Sequence, residues 1–302
     1  MKRRHFIQQT VAATALAGLG LPAMGYAGSR TRHLTVLHTN DVHSYIDPMP
    51  ANHPKSPNLG GVARRAALIE NIRKENPNVL LLDAGDIFQG TPYFNYFGGE
   101  LEFKLMSIMR YDLSTMGNHD FDNGIEGFYE QLPHARFDFV SANYDFTNTV
   151  LNGIVKPYKI FEKGGIKVGV FGLGIALEGL VDKRHYKETV YLDPVEIATD
   201  MARILKREKK CDLVICLSHI GYEYRNDANK ISDLKLAART EDIDLIIGGH
   251  THTFLDKPTV VKNAAGIDTI VNQAGCYGIN LGRLDFYWDG TSKTASGRSI
   301  IV

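Results

Sequence analysis

Several things are scarce in this sequence, and each scarcity excludes something. Three cysteines, Cys211, Cys216 and Cys276, occur in 302 residues. That is too few, too widely spaced, for a disulfide framework or a thiolate zinc site, and buried free thiols are the expected state. Charge of one sign is not in excess, with 34 basic and 34 acidic residues, so no basic surplus exists to release phosphate counterions from a nucleic acid. No apolar run approaches the roughly 20 residues that a membrane-spanning helix needs. Low-complexity tracts, internal repeats and linkers are absent. So are the Gly-x-Ser-x-Gly elbow, the Walker loop and His-Glu-x-x-His, and Gly172-Leu173-Gly174 is only a fragment of a dinucleotide fingerprint. What remains is a chain 44% hydrophobic and 23% charged, enough apolar material for a globular domain and far from a disordered composition.

The first 27 residues read as an address. Lys2, Arg3 and Arg4 form a positive start, Val11 to Leu21 is mildly apolar, and Gly25-Tyr26-Ala27 offers small residues where a signal peptidase cuts. The paired arginines followed by His5-Phe6-Ile7 resemble a twin-arginine signal, which exports folded proteins. With no cysteine near the cut, a lipoprotein anchor is excluded. Residues 1–27 are therefore expected to be a twin-arginine-type signal peptide, and 28–302 a slightly acidic protein, periplasmic or secreted, with no stable membrane anchor.

Beyond it, short runs rich in Val, Ile and Leu alternate with helical patterns. Strands are expected at 34–39, 79–83, 113–116, 139–142, 168–173, 213–217 and 245–249, followed by 259–261, 269–272 and 284–288. Helices are expected at 62–74, 100–109, 194–209 and 231–239. Asp193, Pro194 and Glu196 give the third a capping-box start. The whole reads as one α/β domain.

The chemistry sits where strands end. Asp41-Val42-His43, Gly85-Asp86, Gly117-Asn118-His119-Asp120, Ser218-His219 and His250-Thr251-His252 each follow an expected strand, the position where open α/β sheets place ligands. Carboxylate, imidazole and carboxamide suit Mn, Fe, Zn or Co in a two-metal centre. Asp41 and His43, two apart in an extended segment, would point the same way. Singly, each piece has an ordinary reading: Asp41 or Asp86 as a helix cap, Gly117-Asn118 as a turn. Five in order at strand ends make that reading improbable. His38, His53, His134 and His185 are read as surface or hydrogen-bonded residues, and Phe88, Gln89 and Tyr93 could line the pocket.

These motifs in this order resemble the dinuclear, calcineurin-like metallophosphoesterase superfamily. The runs 80–91 and 116–124, with Gly60-Gly61-Val62-Ala63-Arg64 and Gln273-Ala274-Gly275-Cys276-Tyr277-Gly278, resemble its 5′-nucleotidase and UDP-sugar hydrolase branch. The resemblance runs from about Leu34 to the end. It implies a four-layer α/β-β/α sandwich, which the strand pattern alone does not distinguish from a doubly wound sheet. It implies one divalent ion on Asp41, His43, Asp86 and His252 and another on Asp86, Asn118, His219 and His250, with Asp86 bridging; spacing alone would put His250 and His252 on one ion. Asp120 stands where many relatives have Glu, at a position that is not a ligand.

The resemblance further implies an exported phosphohydrolase that cleaves 5′-nucleotides, nucleotide sugars or 2′,3′-cyclic nucleotides by attack of a metal-bound hydroxide. His119 would stabilise the transferring group or protonate the leaving oxygen. Asp122, three residues on, would fix the imidazole; its ordinary alternative is a cap for the helix after Gly124. The branch usually carries a C-terminal nucleotide-binding domain, which this sequence is expected to lack: either it acts alone on small phosphate esters, or, as favoured, a separate 5′-nucleotidase C-terminal-domain protein is its partner. Thiosulfohydrolase-like sulfur chemistry shares the core, and a non-catalytic subunit is the third reading. Loading with metal before folded export would favour manganese.

Overall fold

The computed structural model describes residues 31–290 and 292–302; the expected signal segment lies outside the described residues. The strands are β1 (Arg32–Thr39), β2 (Val79–Asp83), β3 (Leu113–Ser114), β4 (Asp138–Phe139), β5 (Tyr144–Asp145), β6 (Tyr158–Lys163) and β7 (Ile166–Gly174), then β8 (Val190–Tyr191), β9 (Leu213–His219), β10 (Leu245–Gly248), β11 (Thr259–Lys262), β12 (Asp268–Asn272), β13 (Asn280–Asp289) and β14 (Ser292–Ile301). They form two six-stranded sheets, ordered β14-β13-β1-β2-β3-β4 and β11-β12-β10-β9-β7-β6, and β5 pairs with β8 in a ribbon. In the first sheet β1 to β4 run parallel, with β13 and β14 antiparallel on one side. In the second, β7, β9, β10 and β12 run parallel between the antiparallel edges β6 and β11.

The period of two in each strand decides how these sheets lie. Leu34, Val36, Leu80 and Leu82 of the first sheet share one buried cluster with Val168, Val170, Leu213, Ile215, Leu245 and Ile247 of the second. The intervening residues face away. Leu37 and Leu81 pack under the helices α1 (Val62–Glu75), α2 (Pro92–Phe97), α3 (Glu100–Ile108) and α4 (Gly124–Gln131) through Ile69, Phe94, Phe103 and Phe128. After the short α5 (Lys183–Tyr186), α6 (Pro194–Arg203) and α7 (Asp233–Arg239) cover the other sheet, with Ala198, Ala202 and Leu236 on Val214, Cys216 and Ile246. Strands buried on both faces read as unbroken apolar runs, and the two faces of each supply the inner and outer layers. This is the four-layer α/β-β/α sandwich that the resemblance implied.

Differences from the sequence reading have local causes. The strands expected at 113–116 and 139–142 shorten to two residues each, because the chain after Ser114 turns away into the site. The helix expected over 194–209 is regular to Arg203 and continues as a π-turn over Ile204–Glu208. Asp193 caps it by accepting from the N–H groups of Val195 and Glu196. Edge strands β6 and β14 have no counterpart in the sequence reading; they are half-exposed and read Tyr-Lys-Ile-Phe-Glu-Lys and Ser-Lys-Thr-Ala-Ser-Gly-Arg-Ser-Ile-Ile, without an apolar run. All three cysteines are buried free thiols. Among the described residues, no helix is long and apolar enough to cross a membrane.

Leu82 is wholly buried between the sheets. Leu82→Ala is expected to lower stability by about 2–5 kcal/mol, read as a reduced urea midpoint at unchanged slope.

Candidate metal centre

The loops after β1, β2 and β3 meet the end of β9 and the loop after β10. A short backbone ladder joins the first two loops: Asp41 N–H donates to Gly85 O at 2.9 Å, His43 N–H to Asp86 O at 3.0 Å, and Ser44 N–H to Ile87 O at 2.9 Å. The Asp41 segment is not extended, as the sequence reading supposed. Asp41 and His43 both sit at φ 49°, Asp86 at 57°, His250 at 70° and His252 at 52°. Five of the seven candidate ligands thus occupy the left-handed region that side-chain-bearing residues rarely adopt. Such strain persists only where surrounding contacts impose it, and it concentrates at functional sites.

One glycine shows how tightly the loops meet. Gly117 has no room for a Cβ, which would overlap the Asp86 carboxylate and backbone and crowd the His219 ring. Asp120 completes the fit. Its wholly buried carboxylate accepts the N–H groups of Asp86 (2.9 Å), Ile87 (2.9 Å), Phe88 (3.2 Å) and Gly117 (2.8 Å). Burial, reinforced by the Asp86 charge, pushes its pKa up to about 7. Sequence reasoning set Asp120 aside as a non-ligand and missed this role. Asp120 lies inside the 3-10 turn His119–Phe121, and no sequence pattern marks the four amides it accepts.

The side chains gather into two groups. Ligand atoms of Asp41, His43 and His252 lie within 4.8 Å of one another, as do those of Asp86, His219 and His250. Asp86 Oδ2 stands between the groups, 3.0 Å from His219 Nε2 and 3.7 Å from His43 Nε2. Asp41 Oδ1 is 3.4 Å from His252 Nε2 and 3.8 Å from His219 Nε2. Asn118 Oδ1 lies 2.9 Å from His250 Nδ1.

The donor set fits divalent ions on observations internal to the fold. His43 Nδ1 donates to Phe88 O at 3.2 Å, and His219 Nδ1 to Ala84 O at 2.7 Å. Carbonyls only accept, so each ring keeps a hydrogen on Nδ1 and turns Nε2 inward, the orientation a metal needs. His43 Nε2 and His252 Nε2 face each other at 3.0 Å, and the wholly buried His219 Nε2 faces Asp86 Oδ2 at 3.0 Å. Asp41 and Asp86 are buried, and among the described residues their ion-pair partners are histidines, not Lys or Arg. Burial lowers the His219 pKa, but the Asp86 and Asp41 carboxylates override it and bring it to about 10. Against the same opposition, hydrogen bonds that His252 donates to Asp41 and Cys276 bring its pKa to about 10. Burial and the neighbouring His219 take His250 down to about 4. The two buried carboxylates are balanced, among the described residues, by imidazolium protons, which divalent cations would replace while leaving the rings neutral as ligands.

Two further groups stand beside the clusters. His119 Nδ1 meets Asp122 Oδ2 at 2.8 Å, and the His119 ring packs edge-on against His43 at 5.2 Å. Asp122 therefore engages the imidazole and does not cap the following helix, whose N-cap position is Asn123. The His119 side chain is 37% exposed, open to a ligand. Of the other histidines, His38 is buried against Asn272 and burial takes its pKa down to about 3; His53 accepts the Ser56 N–H, and His134 lies 4.0 Å from Glu100. Phe88 is a core residue, packed on Phe94, Phe103 and Phe128. Tyr93 bonds Asp47 at the surface.

Comparison with known proteins gives this geometry its context. The family profile described as Calcineurin-like phosphoesterase matches residues 34–254. A snake venom 5′-nucleotidase of Crotalus adamanteus is 35% identical over 292 residues, spanning 89% of this chain and 48% of that protein. The trifunctional nucleotide phosphoesterase protein YfkN of Bacillus subtilis is 36% identical over 298 residues, covering 88% of this chain and 19% of its own length. The crystal structure of a 5′-nucleotidase precursor from Thermus thermophilus superposes with a TM-score of 0.80 at 34% identity, over 89% of this chain and 54% of that one. The chain spans about half the length, or less, of the curated relatives it matches.

Replacing one acceptor oxygen of Asp120 with an amide turns a donor toward backbone donors. Asp120→Asn is expected to cost at least about 1–3 kcal/mol in urea unfolding of the metal-free protein, with faster hydrogen exchange at the Ile87 and Gly117 amides.

Proposed function

The chain belongs to the calcineurin-like phosphoesterase family of metal-dependent phosphoester hydrolases, and from that premise we propose that it hydrolyses 5′-nucleotides and related phosphate esters with two divalent ions. The observation that carries this reading is the pair of abutting ligand groups with Asp86 Oδ2 between them. Asp41, His43, Asp86 and His252 would hold one ion; Asp86, Asn118, His219 and His250 would hold the other. Such ions would supply Lewis-acid polarisation of the phosphoryl group and of water.

The chain's own residues do the rest. Asp120 and the loop ladder hold Asp86 in place before any ion arrives, so little reorganisation is left for binding. His119 donates from Nδ1 to Asp122, which leaves Nε2 directed outward for substrate. That hydrogen bond, opposed by partial burial and aided by the Asp86 charge, raises the His119 pKa and favours the protonated ring. A protonated His119 hydrogen-bonds a phosphoryl oxygen or gives its proton to the departing ester oxygen. Nucleotide substrates are supported by the 5′-nucleotidase and nucleotide phosphoesterase names of the relatives. Export by the twin-arginine route, cleavage after Ala27, a catalytic domain over 28–302, and manganese acquired before export complete the reading, supported by Lys2-Arg3-Arg4 and the Gly25-Tyr26-Ala27 site.

The test is phosphate release by the mature protein loaded in turn with Mn²⁺, Zn²⁺ and Co²⁺, on AMP, UDP-glucose, a cyclic nucleotide and an aryl phosphate. Turnover is expected to vanish on chelation and return with metal, at two equivalents per chain, and to be lost in Asp86→Asn. His119→Ala is expected to lower kcat by about 10²–10⁴, with Asp122→Asn falling short of it. Full activity after exhaustive chelation would overturn the reading.

A further inference from the structure

Beside the first ligand group stands an aromatic pair that the chemistry above does not use. Tyr277 lies 6.0 Å from the His43 ring and 5.7 Å from the His252 ring, and 4.3 Å from Tyr45 at an interplanar angle of 35°. The two come from different loops that are fastened to the site. Tyr45 closes the turn begun by Asp41, with its N–H on Val42 O, and the Tyr277 N–H donates to Asp41 O at 2.8 Å.

Tyr277 also sits in the left-handed region, at φ 61°, between Gly275 and Gly278 at 78° and 63°. A Cβ on Gly275 would overlap the Phe254 ring, and one on Gly278 would overlap the Arg65 guanidinium. The turn is therefore clamped from both sides, and the residue it presents toward His43 and His252 in a disfavoured conformation is a large ring. Both tyrosines are half-buried, leaving part of each ring open. Among the described residues neither hydroxyl has a hydrogen-bond partner, so the position serves the ring.

Resting on the phosphohydrolase reading, we propose that Tyr277 and Tyr45 form a leaving-group platform that selects phosphate esters carrying a ring close to the ester oxygen, an aryl group or a ribose. A phosphoryl group between the two ligand groups puts its ester oxygen within a few bonds of the Tyr277 ring. The first ring of the leaving group then packs on that face, while a short aliphatic alcohol cannot reach it with comparable area. An aryl group stacks on that face as a base does, and a ribose lays its C–H groups against it.

The test compares phenyl phosphate, AMP and ethyl phosphate in the metal-loaded protein, with Tyr277→Ala, Tyr45→Ala and the Phe variants of both. For Tyr277→Ala, kcat/KM is expected to fall about 10- to 100-fold on the ring esters, mainly through KM, and at least about tenfold more than on ethyl phosphate. Tyr277→Phe and Tyr45→Phe are expected to keep the wild-type preference. Calorimetric binding of phenylphosphonate against methylphosphonate reads the same preference without turnover. Equal losses on all esters, or a phenylphosphonate preference that survives both alanine variants, would overturn the platform. Absent turnover with a tyrosine-dependent phenylphosphonate preference would overturn the hydrolase reading and leave the platform standing.

Discussion

Four backbone N–H groups converging on one carboxylate hold this site together. Asp120 takes them from two separate loops, three from the segment after β2 and one from Gly117 after β3. A helix cap satisfies one or two donors of its own element; Asp120 satisfies donors that would otherwise leave two loops buried and unpaired. Once those loops are joined, Asp86 is fixed from behind. The His119 N–H then donates to Asp86 Oδ1 at 2.8 Å, which sets Oδ2 toward His219 and His43. A side chain that touches no reacting group thus determines the aim of the most heavily shared one.

The arrangement has an energetic cost. Each non-glycine residue held in the left-handed region costs on the order of 1–3 kcal/mol, and Asp41, His43, Asp86, His250 and His252 all lie there. Buried carboxylates add desolvation. What offsets this is the inter-sheet layer of Leu, Val and Ile side chains from both sheets, at about 25 cal/mol per Å² of apolar surface removed from water. The site is the locally unfavourable rim of a favourable sandwich, with strain and stability in different parts of the chain.

How much of this was legible in the sequence follows from what each signal measures. Apolar runs located the central strands, and the motifs at their ends contain the residues that the fold gathers into the two candidate ligand groups. Periodicity did not distinguish two stacked sheets from one, because strands buried on both faces look alike in either; the family resemblance supplied that. Polar edge strands β6 and β14 gave no signal, since half their residues face water. The left-handed backbone of Asp41 and His43 was illegible too. It is imposed by contacts with Gly85 and Asp86 far along the chain, and local propensity for those residue types argues for extended or turn conformations. Asp120 was visible only as a residue, its function residing in four amides that no sequence pattern marks.

Both ligand groups draw on both sheets: Asp41 and His43 from the first with His252 from the second, and Asp86 from the first with His219 and His250 from the second. An ion on either group would therefore be a rivet through the sandwich, its affinity and the cohesion of the layer beneath thermodynamically linked. Loosening the leucines between the sheets spreads the rivet holes; filling them draws the sheets together. The hydrophobic interior would thus act as a tuning element for metal affinity, adjustable by residues that never meet the metal.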